Sequence, residues 1–494
     1  MQDKRIKKVV IAGGGTAGWM AAAALSKLLG KNLDITLVES DEIATVGVGE
    51  ATIPTLQYFH KLLNINEAEF LKETHGTFKL GIKFENWRAK NEDYLHAFGV
   101  TGQDCWAAGF QHFWLKGRQQ GIASDFGDYC LEQVSAVSEK FAHLPNNGLN
   151  YAYHIDATRY GQYLRKMSEA HGVTRVEGKI EQVKQNHETG FIESLSLANG
   201  KVVEGDLFID CTGQRALLIE GALHTGFEDW SHWLPCDSAI AVQTKSVAEA
   251  IPYTRSIAHD FGWQWRIPLQ HRVGNGMVYC SKFVSDEQAK AVLEENLVGE
   301  KITEPRVIKY RTGTRRKHWN KNCVAVGLSS GFLEPLESTS IHLIQQSIVR
   351  LMRMFPHTGI KQTDIDEFNL QTKFDTETTR DFIILHYCQH NRSDTEFWRH
   401  CRNMPIPERL SHRIELFKET GRVFRKNNEL FDDSWMQVMI GQGLIPESYH
   451  PIVDNMSDDE LIRFLDHIKS NIKGTVSQLP NHQAFIKQYC NSGD

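Results

Sequence analysis

The chain lacks several features that would each point to a particular class of protein. Its 55 lysine and arginine residues against 61 aspartate and glutamate give a formal net charge of −6 and a pI near 6.4. No positive excess draws it to nucleic acid or to an anionic lipid surface. There is no CxxC pair. Nine cysteines lie scattered from Cys105 to Cys490, and an odd, irregularly spaced set argues against a disulfide framework or zinc site and for a reducing cytoplasm. No window reads as a membrane span, and there are no repeats, low-complexity tracts or Gly/Ser linkers. What remains is a globular chain of 494 residues, 41% hydrophobic and 23% charged, with a large core and, by expectation, a small-molecule partner. Its oligomeric state is left open.

The first thirty residues, MQDKRIKKVVIAGGGTAGWMAAAALSKLLG, pair a basic start with an apolar run, the outline of a targeting leader. Gly13, Gly14, Gly15 and Gly18 decide against that reading, because they interrupt the run where a phosphate loop would place them. The segment KVVIAG predicts a buried parallel strand, WMAAAALSKLLG the helix after it and LDITLVES a second strand, the opening of a βαβ unit. From Val173 to Asp210 the pattern becomes alternating strands, with a hairpin around Asn199-Gly200. Further strands are expected around 238–245 and 276–284, and then a helix, SDEQAKAVLEENL, opened by a Ser285/Gln288 capping box. NCVAVGL predicts another buried strand, SSGFLEPLEST a loop and SIHLIQQSIVRLMRMF a long amphipathic helix. Beyond about residue 356 strand signals fade and helical patterns such as DSWMQVMIGQGL and DDELIRFLDHIKSNI dominate.

Gly13-Gly14-Gly15-Thr16-Ala17-Gly18 fits GxGxxG between a strand and a helix, and Glu39 ends the next strand 21 residues beyond Gly18. Glycines allow a tight turn and a close approach of pyrophosphate to backbone amides at a helix N-terminus, while Glu39 can accept hydrogen bonds from ribose hydroxyls. The fingerprint predicts a dinucleotide site and does not distinguish FAD from NAD. No second GxGxxG occurs, so a chain that also reduced its own flavin would need another motif.

A second unusual stretch is GWQWRIPL at 262–269. As a strand it puts Trp263, Trp265 and Ile267 on one face and Gln264 and Arg266 on the other. Pro268 cannot donate a ladder hydrogen bond, so it marks a strand terminus or a sheet edge. Taken alone, the two tryptophans read as core packing.

Together these segments resemble the flavin-dependent halogenases of the tryptophan halogenase type, over almost the whole length. The resemblance is carried by GGGTAGWMAA, TVGVGEATIP at 45–54, FKLGIKFENW at 78–87, DLFIDCTG at 206–213, GWQWRIPL as the family's WxWxIP signature, and GFLEPLESTSIHLI at 331–344. It implies an α/β fold with an FAD-binding Rossmann-like module of the flavin monooxygenase type, over residues 1–355, that also carries the halogenation chemistry. A mainly helical module, 356–494, is expected to pack against it and contribute to the substrate site.

The activity implied is that of a two-component enzyme. A separate NAD(P)H-dependent flavin reductase supplies FADH2, which reacts with O2 to give a C4a-hydroperoxide. Halide attacks the distal oxygen, and the hypohalous acid formed travels through an internal passage to an electron-rich arene. By this matching Lys79 receives the hypohalous acid, by hydrogen bond or as a haloamine. Taken alone, it would read as a surface lysine with Lys83 as its neighbour. Glu337 is the matching carboxylate, expected near Lys79, where it stabilises the cationic intermediate and accepts the ring proton. Glu334 is three residues earlier, and either alone could be a helix N-terminal charge.

Thr339 and Ser340 stand where the family binds halide with backbone amides. Tryptophan-chlorinating members usually have Gly at the second position, so Ser340 leaves bromide in competition with chloride. The resemblance adds Gly49, Ile180, Leu328 and Ile341 to the flavin site, and makes Trp263 and Trp265 a wall on its flavin side. His96 and Phe98 are implied to stack a flat arene; taken alone they would be core residues. The segment FDDSWMQVMIGQGLIPESYH has Trp435 but no Tyr-Tyr pair for a free amino acid, which favours indole-like, phenolic or larger substrates. The rival readings are a flavin-dependent aromatic hydroxylase and a non-catalytic flavin-binding protein.

Overall fold

The computed structural model describes residues 5–43, 49–145, 148–356, 358–424 and 429–493. Its contacts group into two compact units, each assembled from three stretches of chain. One comprises Met1–Gly76, Ile155–Ser231 and Lys309–Glu377, the other Thr77–His154, His232–Ile308 and Thr378–Asp494.

The first unit is built on a six-stranded sheet in the order Trp319–Asn320, Cys323–Ala325, Leu207–Asp210, Lys8–Ala12, Asp34–Glu39, Thr174–Glu177. Lys8–Ala12 lies between two parallel partners, with Val9 opposite both Leu207 and Ile35. Val9 to Ala12 are all buried, the unbroken apolar run of a parallel strand covered on both faces. The helix Thr16–Leu29 follows directly, and its Ala21–Ala24 run is buried.

A three-stranded antiparallel sheet, Ile180–Gln185, Ile192–Leu197 and Val202–Glu204, contains the expected hairpin. Gly200 has φ +80°, the left-handed backbone that an Asn-Gly turn supplies. Ile192, Leu195 and Leu197 from this sheet pack with Val10, Phe208 and Ala325 of the parallel one.

The second unit holds a seven-stranded sheet in the order Arg306–Lys309, Ser238–Lys245, Arg272–Tyr279, Gly262–Pro268, Tyr253–His259, Gly81–Glu85, Asp93–Ala97. The tryptophan strand is interior, antiparallel to both neighbours, and Pro268 is its last residue. On its second face Gln264 is fully buried against His259, while half-buried Arg266 donates to the Asn296 carbonyl. The strand expected at 276–284 instead runs Arg272–Tyr279. Gly274 and Gly276 depress its strand signal. Gly276 is needed there because a Cβ would lie 2.0 Å from the Trp265 ring.

The helix Asp286–Glu295 opens with the expected Ser285/Gln288 capping box, and Asp458–Gln478 opens with another, Ser457/Glu460. After Phe332 the described residues contain helices and no strand. No helix among them is long and apolar enough to cross a membrane.

Candidate active site

In the first unit the glycine loop is shaped by what surrounds it. Gly13, at φ +109°, donates its N–H to the Val38 carbonyl at 2.8 Å, and a Cβ there would lie 2.2 Å from the Cys211 carbonyl oxygen. A Cβ on Gly14 would lie 1.5 Å from Glu39 Oε2, and one on Gly18 would lie 1.9 Å from the Gly13 oxygen. Gly15 differs: nothing lies within 4 Å of where its Cβ would be. It is the N-cap of the helix Thr16–Leu29, makes no side-chain cap, and precedes a first turn without acidic residues. An uncapped, positively polarised helix end facing open space fits a pyrophosphate.

Glu39 is oriented by Arg175, whose Nε lies 2.5 Å from Oε1, which leaves Oε2 on the loop side. Gly178 donates to the Glu39 carbonyl at 2.9 Å, so half-buried Ile180, two residues on, belongs to the same corner. At the other end a Cβ on Gly327 would lie 2.8 Å from the Ala17 Cβ, which sets the turn Gly327–Ser329, with Leu328, against the start of the helix. Gly49 begins the strand Gly49–Ala51; residues 44–48 of the same motif lie outside the described residues.

The segment after Phe332 tightens into the turn Pro335–Glu337, and Ser338 at φ +58° redirects the chain into the helix Ser340–Arg353. Glu337 and Glu334 are buried, at 0% and 1% exposure. Thr339 is the helix N-cap but its hydroxyl caps nothing, and its buried Oγ1 has no hydrogen-bond partner among the described residues. A helix end with a spare buried hydroxyl suits a small anion. Ser340 is half-buried and Ile341 buried. One turn on, His342 Nδ1 meets Thr55 Oγ1 at 2.8 Å and Gln345 donates to the Thr55 carbonyl at 2.9 Å, which fastens the ATIP segment to this helix. Burial, and then the Arg350 charge, push His342 down to about 4, so it is neutral at physiological pH.

In the second unit Lys79 ends the strand Thr77–Lys79 and is fully buried. Its Nζ lies 5.1 Å from the centre of the Phe98 ring, within cation–π reach. The strand pairs with Ala152–Asp156, with Thr77 opposite His154 and Lys79 opposite Ala152, so these four residues share a face. The Thr77 hydroxyl donates to the Pro268 carbonyl at 2.8 Å and therefore accepts from His154 Nδ1–H at 3.0 Å. His154 Nε2 in turn accepts from Thr254 Oγ1 at 2.9 Å. Burial, then the Lys79 charge, then His482 hold His154 well below its ordinary range.

His96 and Phe98 form a corner, their ring centres 6.3 Å apart at 81°. Trp263 and Trp265 are 1% and 7% exposed, with ring centres 6.1 Å apart, and Trp263 lies 6.4 Å from Trp87.

Comparison with known proteins gives these features a context. The family model described as tryptophan halogenase matches residues 8–458. This chain belongs to the tryptophan halogenase family. Tryptophan 7-halogenase RebH of Lentzea aerocolonigenes is 33% identical, with 98% of this chain and 99% of the relative covered. Among solved structures, Xcc4156, a flavin-dependent halogenase from Xanthomonas campestris, superposes with a TM-score of 0.98 at 56% identity, covering 99% of both chains. BrvH, a flavin-dependent halogenase from Brevundimonas sp. BAL3, does so with 0.95 at 45%, covering 99% of this chain and 100% of the other. The fold is the mixed α/β, Rossmann-like one of these structures, and the chain is an FADH2-dependent halogenase.

For a halogenase of this family the residues that sequence patterns miss are informative. Phe382 stands 5.7 Å from His96, edge to face, and stacks on Phe431 at 4.0 Å, while Trp435 meets Phe382 edge-on at 4.8 Å. Arg413 lies 4.0 Å over the Trp435 ring and is held by buried Glu429 at 2.7 Å. Asp210, at the end of a buried strand, accepts from Thr212, Leu218 and Ile219 and so holds the turn that presses on Gly13. Phe382, Arg413 and Glu429 form no local motif, because their partners lie well away in sequence. Asp210 falls in DLFIDCTG, and Phe431 and Trp435 fall in FDDSWMQVMIGQGLIPESYH, stretches that already stand out.

Proposed function

We propose that this halogenase transfers bromine or chlorine to an indole-like or other electron-rich aromatic substrate, with Lys79 and Glu337 as its catalytic residues. The observation that carries the reading is Lys79, fully buried on a strand with its Nζ 5.1 Å from the centre of the half-buried Phe98 ring. A buried ammonium needs a reason, and this one lies beside an aromatic face that can hold a flat substrate.

The glycine loop, Glu39, Ile180, Leu328, Ile341 and Gly49 would hold FAD, supplied reduced by a separate NAD(P)H-dependent reductase. When bound, the reduced flavin with O2 supplies the two-electron oxidation of halide to hypohalous acid. Trp263 and Trp265 wall the flavin side and keep the arene from being hydroxylated directly. Lys79 hydrogen-bonds the oxygen of HO–X, so the O–X bond breaks as the new C–X bond forms. Oxygen then leaves as water with the lysine's proton, and Glu337 takes the displaced ring proton.

Thr339 and Ser340 bind the halide, Ser340 in place of glycine keeping bromide competitive with chloride. RebH is named for tryptophan, yet the segment around Trp435 lacks a Tyr-Tyr pair, and its Arg413 is engaged by Glu429 rather than offered to a carboxylate. These features favour an arene without free amino-acid groups. The scattered, irregularly spaced cysteines favour action in a reducing cytoplasm.

The test incubates the protein with FAD, NADH, a flavin reductase and either halide over a panel of indoles and phenols, with products read by mass spectrometry. Halogenated product supports the reading. A panel without one sinks it, and a hydroxylated product formed without halide would point to the monooxygenase alternative.

A further inference from the structure

Phe98 is the ring over which Lys79 lies, and its backbone is held at three successive residues. Its own N–H donates to the carbonyl of Leu80, the residue next to Lys79, at 2.9 Å. On either side of it a single side chain acts. Gln437 Oε1 accepts from the Ala97 N–H at 3.0 Å, and Gln437 Nε2 donates to the Gly99 carbonyl at 2.7 Å. One buried amide thus completes the backbone bonding where the strand Asp93–Ala97 ends, in the way a neighbouring strand would.

The clamp is rigidly mounted. Gln437 belongs to the helix Ser434–Gly441, and one turn later a Cβ on Gly441 would lie 2.4 Å from the Tyr94 ring, so the helix runs back along the strand at close range. Gly99 has no room to move away: a Cβ on it would lie 1.5 Å from Glu132 Oε2, and Glu132 is itself fixed by the Asn150 N–H at 2.7 Å. Trp435, two residues before Gln437, meets the ring of Phe382, and His96 meets the same ring.

We propose that Gln437 is a positioning residue that fixes the Phe98 ring relative to Lys79 Nζ, and through it decides which ring carbon of the arene faces the transferred halogen. This rests on the function proposed above. A group bound to the backbone on both sides of Phe98 controls where its ring sits, whereas a group that only joined helix to strand could do so at any position along it.

The test compares Gln437→Leu, Gln437→Asn and Gln437→Glu with the wild type, each shown to be folded by circular dichroism and thermal melting. Leucine removes both hydrogen bonds, asparagine keeps the amide but shortens it, and a carboxylate keeps only the acceptor for Ala97. The readouts are the isomer ratio of halogenated indole, the KM for indole and the kcat, beside flavin oxidation as a reaction that Phe98 does not enter.

The isomer ratio is expected to shift at least about threefold and KM to rise about tenfold in Gln437→Leu. Gln437→Glu and Gln437→Asn should fall between it and the wild type, with flavin oxidation unchanged. Folded variants with wild-type isomer ratio and KM overturn the proposal, as does a set in which none of the three folds, which would assign Gln437 to the fold alone. A wild type that halogenates no arene sinks the parent reading and this one with it, and is distinguished by the absence of product before any substitution.

Discussion

Thr77 donates its hydroxyl proton to the carbonyl oxygen of Pro268 at 2.8 Å, which joins the strand that carries Lys79 to the last residue of the tryptophan strand. Two segments nearly two hundred residues apart in sequence, |i−j| = 191, are thereby kept in register by one buried hydroxyl. The same oxygen accepts from His154, so removing it strands two partners.

Thr77→Val should therefore lower stability by about 2 kcal/mol, since a buried carbonyl and a buried imidazole N–H both lose their partner. It should also lower halogenated product per flavin oxidised, because Lys79 is two residues along the same strand. Denaturant titration and product-to-flavin stoichiometry check both parts. A variant with unchanged midpoint would mean that neither group depends on Thr77.

Lys79→Ala should abolish halogenation, by at least about a hundredfold, while oxidation of reduced flavin by O2 continues. In the role proposed for it, Lys79 acts on the oxidised halogen after flavin chemistry is complete, so the two activities should separate. If product persists in the variant, the role assigned to Lys79 is wrong.

Much of the fold is legible from local pattern, and its limits are physical. Asn199-Gly200, the Ser285/Gln288 capping box and the alternation of Trp263, Trp265 and Ile267 are written in adjacent residues, and the structure has all three. The strand Arg272–Tyr279 is read too late because Gly274 and Gly276 look like a break; Gly276 answers to the Trp265 ring across the ladder, a constraint no local window contains. The same holds for Arg175 on Glu39 and Gln437 on Phe98's neighbours. A surface reading of Lys79, taken alone, fails because the apolar Phe78-Lys79-Leu80 context reveals burial only once the strand is paired.

The histidines predict how stability follows pH. Burial, the largest influence in each case, holds His60 and His318 at about 3 and His342 and His482 at about 4, with His154 also far down. An unfolded chain takes up these protons below about 6.5 and the folded chain does not, so stability is fully present above that pH and is lost as pH falls toward 4. Each histidine contributes a slope of about 1.4 kcal/mol per pH unit within the window. Glu50 runs the other way, since burial raises it to about 7 and the folded chain holds its proton first, and burial raises Glu132, Asp210 and Asp375 as well; against them stand the five histidines together with His112 and His390, held at about 4. Denaturant midpoints at pH 7.5 and 5.5 should differ clearly, and less so in His342→Gln. Equal midpoints would mean these imidazoles are not neutral in the fold.

Gly14 and Gly15 predict opposite outcomes for one chemical change. Gly14→Ala drives a methyl into the Glu39 carboxylate, which must shift, so both folding and FAD affinity should suffer. Gly15 has φ −75° and open space around it, so Gly15→Ala should leave stability within about 1 kcal/mol while weakening FAD binding about tenfold, because the methyl would fill the place proposed for a phosphate. FAD titration by fluorescence together with melting of the flavin-free protein separates the two. Undiminished FAD affinity in Gly15→Ala would remove the loop from the cofactor site.

Thr339 carries the sharpest test of the halide assignment, because its role and its contribution to stability pull in opposite directions. Its hydroxyl oxygen is buried without a hydrogen-bond partner among the described residues, at the N-cap of a fourteen-residue helix whose first amides have no intrahelical acceptor. An unsatisfied buried hydroxyl destabilises the fold, so Thr339→Val, nearly the same shape, should raise stability by about 1 kcal/mol. If the hydroxyl and those amides hold halide, the same variant should need several-fold more bromide or chloride to reach half-maximal rate. Flavin oxidation should not change, since halide is not required for it. A capping residue would show the reverse, with lower stability and an unchanged halide requirement, and that result would move the halide site away from this helix end.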